Sequence, residues 1–196
     1  MKTKLPPLVA IDWGTTSLRG ARLDSHGQVL EERAFARGIL TIPAGEFAPV
    51  FEALFADWLS ASGTLCLISG MAGSRQGWIE APYCACPAGF DEVAAQLAWI
   101  PPGLAPASPG WRIGVVPGLC CEHPASAAGM PSVPDVMRGE EVQIFGAIRL
   151  TGQTDGTFVL PGTHSKWASV QAGRITGFST FMTGEFYALL SQHSIL

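Results

Sequence analysis

The sequence predicts an α/β fold in which one small unit is built twice and completed once. Three observations carry this. Gly14-Thr15-Thr16-Ser17 recurs as Gly162-Thr163-His164-Ser165, 148 positions on, from residue 14 to residue 162. An apolar run precedes each copy (Leu8 to Ile11; Phe158 to Leu160), and an alternating segment with a Gly turn follows (Gly27; Gly173). Helical and strand-like patterns then alternate, the order that builds layered sheet-and-helix domains. Hydrophobic residues make up 47% of the chain and charged ones 14%, which suits a core-forming globular protein and not a disordered one.

Residues 9–12 read as a short central strand. Residues 17–23 alternate, Asp24-Ser25-His26-Gly27 turns the chain, and residues 28–36 form the third strand. Across residues 46–60, Phe47, Val50, Phe51, Leu54, Phe55, Trp58 and Leu59 fall at helical spacing with one wide apolar face. Residues 64–68 read as a buried strand. Residues 91–100 predict a shorter helix, stopped by Pro101-Pro102. Residues 111–116 are another strand, ended by Pro117-Gly118. Residues 139–150 read as a helix, 157–160 open the second hairpin unit, and 184–193 are a further helix. Three hairpin-linked strands followed by alternating helices and strands describe a ribonuclease H-like domain. The predicted division is a first such domain over 1–150, including a substrate loop, and an incomplete second copy over 151–196. The second copy reaches only three strands and a helix, so the expectation is a fragment or a severely shortened relative, with Leu189, Leu190, Ile195 and Leu196 awaiting partners.

Net charge is −4 with no basic run, which argues against nucleic acid as a partner, because phosphate-backbone affinity needs clustered Lys and Arg. A small anion remains compatible, since local Arg and backbone N–H groups bind one within an acidic protein. No apolar core of signal-peptide length precedes Asp12. The longest uncharged stretch, 93–111, carries Pro101, Pro102, Pro106 and Pro109 and cannot be a membrane helix. The expectation is a soluble cytoplasmic protein with no membrane partner; a homo-oligomer is compatible with the sequence. Cys66, Cys84, Cys86, Cys120 and Cys121 are odd in number and miss zinc spacings, so free thiols are expected, and His123 beside them does not alter that.

Four segments carry chemistry. In Asp12-Trp13-Gly14-Thr15-Thr16, Gly14 permits unusual φ and close approach, so successive N–H groups can point at phosphate oxygens, with Thr15 and Thr16 adding hydroxyls. Asp12, at a strand end, can hold Mg²⁺ through water; an ordinary Asx turn is the plainer alternative. Gly162-Thr163-His164-Ser165-Lys166 is the second turn, proposed to touch other phosphates; it lacks the G-x-x-x-x-G-K pattern of a P-loop, and His164 is either a phosphate donor or structural. In Asp135-Val136-Met137-Arg138-Gly139-Glu140-Glu141, two acids open a helix, and Glu140, Glu141 or Asp135 is placed to take a proton from a substrate hydroxyl. Finally, the Gly-rich loop 69–80 follows a strand end, where ligands of open α/β sheets gather. There Gly70, Gly73 and Gly77 give backbone access, Arg75 suits a carboxylate, and Trp78 offers an apolar wall; Gly73, Ser74, Arg75 and Trp78 are the candidate substrate contacts.

Ile11-Asp12-Trp13-Gly14-Thr15-Thr16, Gly70-Met71-Ala72-Gly73-Ser74-Arg75-Gln76-Gly77-Trp78-Ile79-Glu80-Ala81-Pro82-Tyr83, Asp135-Val136-Met137-Arg138-Gly139-Glu140-Glu141, Leu160-Pro161-Gly162-Thr163-His164-Ser165-Lys166-Trp167 and Met182-Thr183-Gly184-Glu185 together resemble the 2-dehydro-3-deoxygalactonokinase family of bacterial sugar-acid kinases. The resemblance runs along the whole chain in order. It implies the actin–hexokinase–Hsp70 fold, with two ribonuclease H-like domains closing on ATP. It also implies Mg²⁺ and ATP-dependent phosphorylation of 2-dehydro-3-deoxy-D-galactonate at its terminal hydroxyl, in galactonate breakdown. By motif, Asp12 would hold the Mg²⁺–phosphate end, Gly14, Thr15 and Thr16 the first phosphate turn, and Gly162 and Thr163 the second. Glu140 or Glu141 stands where related sugar kinases place a catalytic acid, many of them Asp. The family continues beyond this length, which puts the adenosine pocket outside these residues, so weak ATP binding and slow turnover are expected of them alone. The competing reading is a non-catalytic sugar-acid or nucleotide-binding relative, or an inactive fragment; an actin-like filament protein is a third.

Overall fold

The computed structural model describes residues 7–59, 63–106, 111–122 and 133–195. They group into two compact units: Met1–Pro82 with Gln96–Pro117, and Tyr83–Ala95 with Gly118–Leu196. The contacts therefore do not follow a division at residue 150.

The first unit is a six-stranded sheet. β1 (Leu8–Trp13), β2 (Leu18–Leu23) and β3 (Val29–Phe35) form an antiparallel meander, as the alternating patterns predict. Asp24 Oδ1 accepts the His26 and Gln28 N–H groups, and Gly27 turns left-handed (φ 81°) to join β2 to β3. β4 (Leu65–Ser69) pairs parallel with β1. The helix α1 (Phe47–Phe55) buries Phe47, Phe51 and Phe55, spaced four residues apart on one face. It is shorter than the 46–60 expectation: Ala56–Leu59 tightens into a 3₁₀ turn, and Ser60 lies outside the described residues. Gly20 in β2 makes room for this face, since a Cβ there would meet Phe55 Cε1 at 2.6 Å. Trp13, Leu18, Phe51, Phe55 and Ile68 are among the fully buried side chains of this core.

One predicted element changes type. The helix expected over 91–100 is realised only as α2 (Phe90–Ala95), in the second unit. Its latter part becomes β6 (Ala98–Trp99), which pairs antiparallel with β7 (Arg112–Val115) at the edge of the first unit's sheet. Pro101 disfavours helix at the preceding residue, and Trp99 lies over Gly114, where a Cβ would meet its ring at 3.2 Å. Sheet pairing outweighs the helical period here. β7 pairs parallel with β4, giving the order β3-β2-β1-β4-β7-β6.

The second unit holds two three-stranded sheets. β5 (Tyr83–Ala85), β8 (Gly118–Cys121) and β9 (Asp135–Met137) pair in the order β5-β8-β9. These strands are too short to show a period and were not expected. α3 (Glu140–Thr151) starts at Gly139 (φ 109°) and stops at the left-handed Gly152 (φ 73°), close to the predicted 139–150. β10 (Gly156–Leu160), β11 (Ser165–Gln171) and β12 (Arg174–Phe181) form the second antiparallel meander, followed by α4 (Thr183–His193). Ala168, Val170, Ile175 and Phe178 fill its buried face.

None of the five cysteines forms a disulfide, and burial, then the neighbouring thiols, pushes Cys86 up to about 12. His123 lies outside the described residues. Among the described residues no helix is long and apolar enough to cross a membrane.

Candidate active site

In the first unit, Asp12 is the last residue but one of β1 and sits between Arg19 of β2 and Ser69 of β4. The residue as a whole is exposed, but its carboxyl lies against the Gly70 backbone, where a Cβ would meet Oδ1 at 3.1 Å. This partial burial raises its pKa above the ordinary carboxylate value, with Arg19 pulling the other way. Gly70 (φ 86°) is required, because a side chain would also meet the Trp13 carbonyl at 2.9 Å. Gly14 departs from its expected use. Its φ is not positive, and its N–H donates to the Ser17 carbonyl at 2.9 Å, closing the turn. The neighbouring Thr15 and Thr16, which add backbone and hydroxyl donors to this turn, are both exposed.

The loop after β4 is a tight structure and not a floppy one. Gly77 N–H donates to the Ser74 carbonyl, Trp78 N–H to Ala72 and Ala81 N–H to Gly73. Gly73 is buried, and the Ser74 hydroxyl is buried without a hydrogen-bond partner among the described residues. Trp78 is only 8% exposed: its Nε1 donates to the Leu104 carbonyl, and its ring stacks on Phe47 and packs on Trp13. It is a core residue that shows one edge to a cavity of about 590 Å³. Arg75, Gln76 and Leu40 also line that cavity. Arg75 is well exposed and reaches Glu80 at only 3.7 Å, a pairing too loose and too solvated to hold it.

In the second unit the three acids differ sharply. Glu141 is fully buried and takes the Gly139 N–H with both oxygens at 2.9 and 2.8 Å. Burial pushes its pKa to about 7 despite those bonds, with Glu140 adding to the rise. Glu140 is half-buried and accepts the Arg138 N–H at 3.0 Å. Asp135 is occupied: it accepts the Val136 N–H and both the N–H and hydroxyl of Thr180. The Arg138 guanidinium lies 4.3 Å over the Tyr83 ring. His164 is exposed and pairs with Glu185 of α4 at 2.7 Å, while Ser165 is buried at the start of β11.

The two Gly-Thr turns share a feature that the sequence comparison did not reach. In the first, the Ile39 and Leu40 N–H groups donate to the Gly14 and Thr15 carbonyls, and a Cβ on Gly38 would meet the Thr15 oxygen at 2.1 Å. In the second, the Gly184 N–H donates to the Gly162 and Thr163 carbonyls and the Glu185 N–H to Thr163; a Cβ on Gly184 would meet the Gly162 oxygen at 2.5 Å. Each turn is thus braced through its carbonyls by consecutive N–H groups beside a glycine that nothing larger could replace. A backbone fixed in this way can offer N–H and hydroxyl groups to an anion without reorganising. The signal for it was the two isolated glycines, Gly38 and Gly184, lying similar distances beyond their turns.

Residues 12–196 match the family model described as 2-keto-3-deoxy-galactonokinase. The chain is 38% identical over 187 residues to a probable 2-dehydro-3-deoxygalactonokinase of Rhizobium meliloti (strain 1021), covering 95% of this chain and 57% of that one. It is 37% identical over 188 residues to the 2-dehydro-3-deoxygalactonokinase of Escherichia coli (strain K12), covering 96% and 58%. A crystal structure from Sinorhizobium meliloti, provisionally assigned to the same enzyme, superposes with a TM-score of 0.78 at 38% identity, covering 96% and 58%. The chain thus spans little more than half the length of the relatives it matches. With the family's model matched from the Asp12 turn to the last residue, the chain belongs to the 2-keto-3-deoxy-galactonokinase family.

Proposed function

We propose that the protein phosphorylates 2-dehydro-3-deoxy-D-galactonate at its terminal hydroxyl with ATP, giving the 6-phosphate and ADP. The observation that carries this is the pair of braced Gly-Thr turns in a chain of this family. On this reading the first unit's meander, followed by parallel β4 and β7, is a ribonuclease H-like sheet, and β10–β12 begin a second copy. The domain boundary at 150/151 then follows the repeat, close to the helix stop at Gly152, and not the contacts. The water-soluble substrates suit a cytoplasmic setting.

Thr15 and Thr16, with Gly162, Thr163, His164 and Ser165, contact the phosphates; Gly14 shapes the first turn. Asp12 is the lone carboxylate of its turn, and no cluster of three or more potential ligands occurs among the described residues. That donor set fits Mg²⁺ arriving with ATP, since this ion keeps waters and uses one or two carboxylates plus phosphates. Bound there, it would neutralise charge on the phosphates. Glu140 takes the proton from the attacking hydroxyl as the new O–P bond forms and the bond to ADP breaks. Glu141 and Asp135 support the helix start from which Glu140 acts. Arg75 pairs with the substrate carboxylate, with Gly73, Ser74 and the edge of Trp78 shaping the loop around it.

Asp12→Asn should abolish Mg²⁺-dependent turnover with the melting temperature unchanged; normal kinetics would remove Asp12 from the site. Arg75→Ala should raise KM for the acid more than for its neutral analogue, and equal effects would exclude a carboxylate contact.

A further inference from the structure

Lys166 directly follows the second Gly-Thr turn, yet its side chain is only 9% exposed. A buried ammonium is tolerated only where its donors are met. Its Nζ donates to the Val136 carbonyl at 2.5 Å and to Thr180 Oγ1 at 2.6 Å, and stands 3.8 Å from Asp135 Oδ1. The Asp135 carboxylate in turn accepts the Thr180 N–H at 2.7 Å and its hydroxyl at 2.5 Å. These bonds close a knot through β9, β11 and β12.

Each strand of the knot runs into a segment with a proposed role. β9 leads through Arg138-Gly139 to Glu140. Lys166 adjoins Ser165, the last residue of the turn. Thr180 is followed closely by Gly184 and Glu185, whose N–H groups brace that turn. A backbone ladder already sets β11 against β12, but β9 is a three-residue strand of the other sheet, so it is the directional bonds to a buried charge that fix its offset against that pair. A displacement of about 1 Å between reacting groups is enough to cost about 100-fold in rate.

We propose that Lys166 and Asp135 are positioning residues that set Glu140 and the Gly162–Ser165 turn on one frame. This rests on the roles given to those two segments under the proposed function. The knot is stabilising as well, so the test must separate local placement from global stability.

The experiment is amide hydrogen exchange by NMR on the whole chain, for wild type, Asp135→Asn, Lys166→Met and the double variant. The amides of Gly139, Gly184 and Glu185 are the reporters, with Ala168 and Val170 in β11 and Gly14 in the first unit as references. Either single variant should speed exchange at all three reporters by about tenfold or more beyond any change at the references. The double variant, with no unpaired buried charge, should regain the wild-type unfolding midpoint while its reporters stay fast. Uniform acceleration across reporters and β11, or restored protection in the double variant, would overturn the positioning role. Addition of Mg·ATP to the same wild-type sample reports on the underlying reading: unmoved Gly162–Ser165 amides would overturn the phosphate assignment, and with it the knot's functional meaning, whatever the exchange data show.

Discussion

Glu141 should make the second unit lose stability as pH rises from 4.5 to about 7. Its carboxyl is fully buried, and its pKa is raised from 4.5 to about 7, chiefly by burial. The unfolded chain gives up this proton near 4.5, and the folded one holds it until about 7. Between those values the folded state binds more protons, so stability falls with rising pH and levels off above about 7. At about 1.4 kcal/mol per pH unit, the displacement amounts to about 3 kcal/mol. Glu141→Gln removes the titration while retaining an oxygen to accept the Gly139 N–H. Any cost of its amide group is independent of pH. The assay is urea unfolding of both proteins from about pH 4 to about pH 8, followed through NMR peaks of α3 so that the second unit is read by itself. The stability of Glu141→Gln minus that of wild type should grow by about 3 kcal/mol across this range. A difference that stays flat with pH would refute the assignment of a neutral buried acid at the head of α3.

Gly38→Ala should cost about 2–4 kcal/mol and displace the first turn, because Gly38 has an ordinary φ of −72° and the penalty is purely the collision with Thr15. Gly184→Ala should do the same to the second turn; thermal melting and the shifts of the Thr15 and Thr163 amides check both. Ala172 is left-handed (φ 49°) in the two-residue turn joining β11 to β12, so Ala172→Gly should raise stability by about 0.5–1 kcal/mol in urea unfolding.

What could be read in advance followed periodicity and repetition. The two meanders, α1 and α3 stood out because their apolar residues alternate or recur at helical spacing, and the Gly-Thr turns because they recur in the same surroundings. What escaped was set by contacts distant in sequence. The 98–99 segment reads as helix by local period and becomes a strand because β7 offers an open edge. Trp78 looked like a ligand wall from its place in a Gly-rich loop, but Trp13, Phe47 and Phe51 draw it into the core. Asp135 looked as free as Glu140 in sequence. Only the fold brings Thr180 and Lys166 to it, across 45 and 31 positions. Gly38 and Gly184 are visible as isolated glycines beyond their turns, but only the fold shows their purpose, an approach of backbone to backbone.

The most direct measurement is a crystal structure with Mg²⁺ and a non-hydrolysable ATP analogue bound. Phosphate oxygens should lie about 3 Å from the N–H or hydroxyl groups of Thr15 or Thr16 and from those of Gly162 or Thr163. A triphosphate lodged away from both turns would contradict the account.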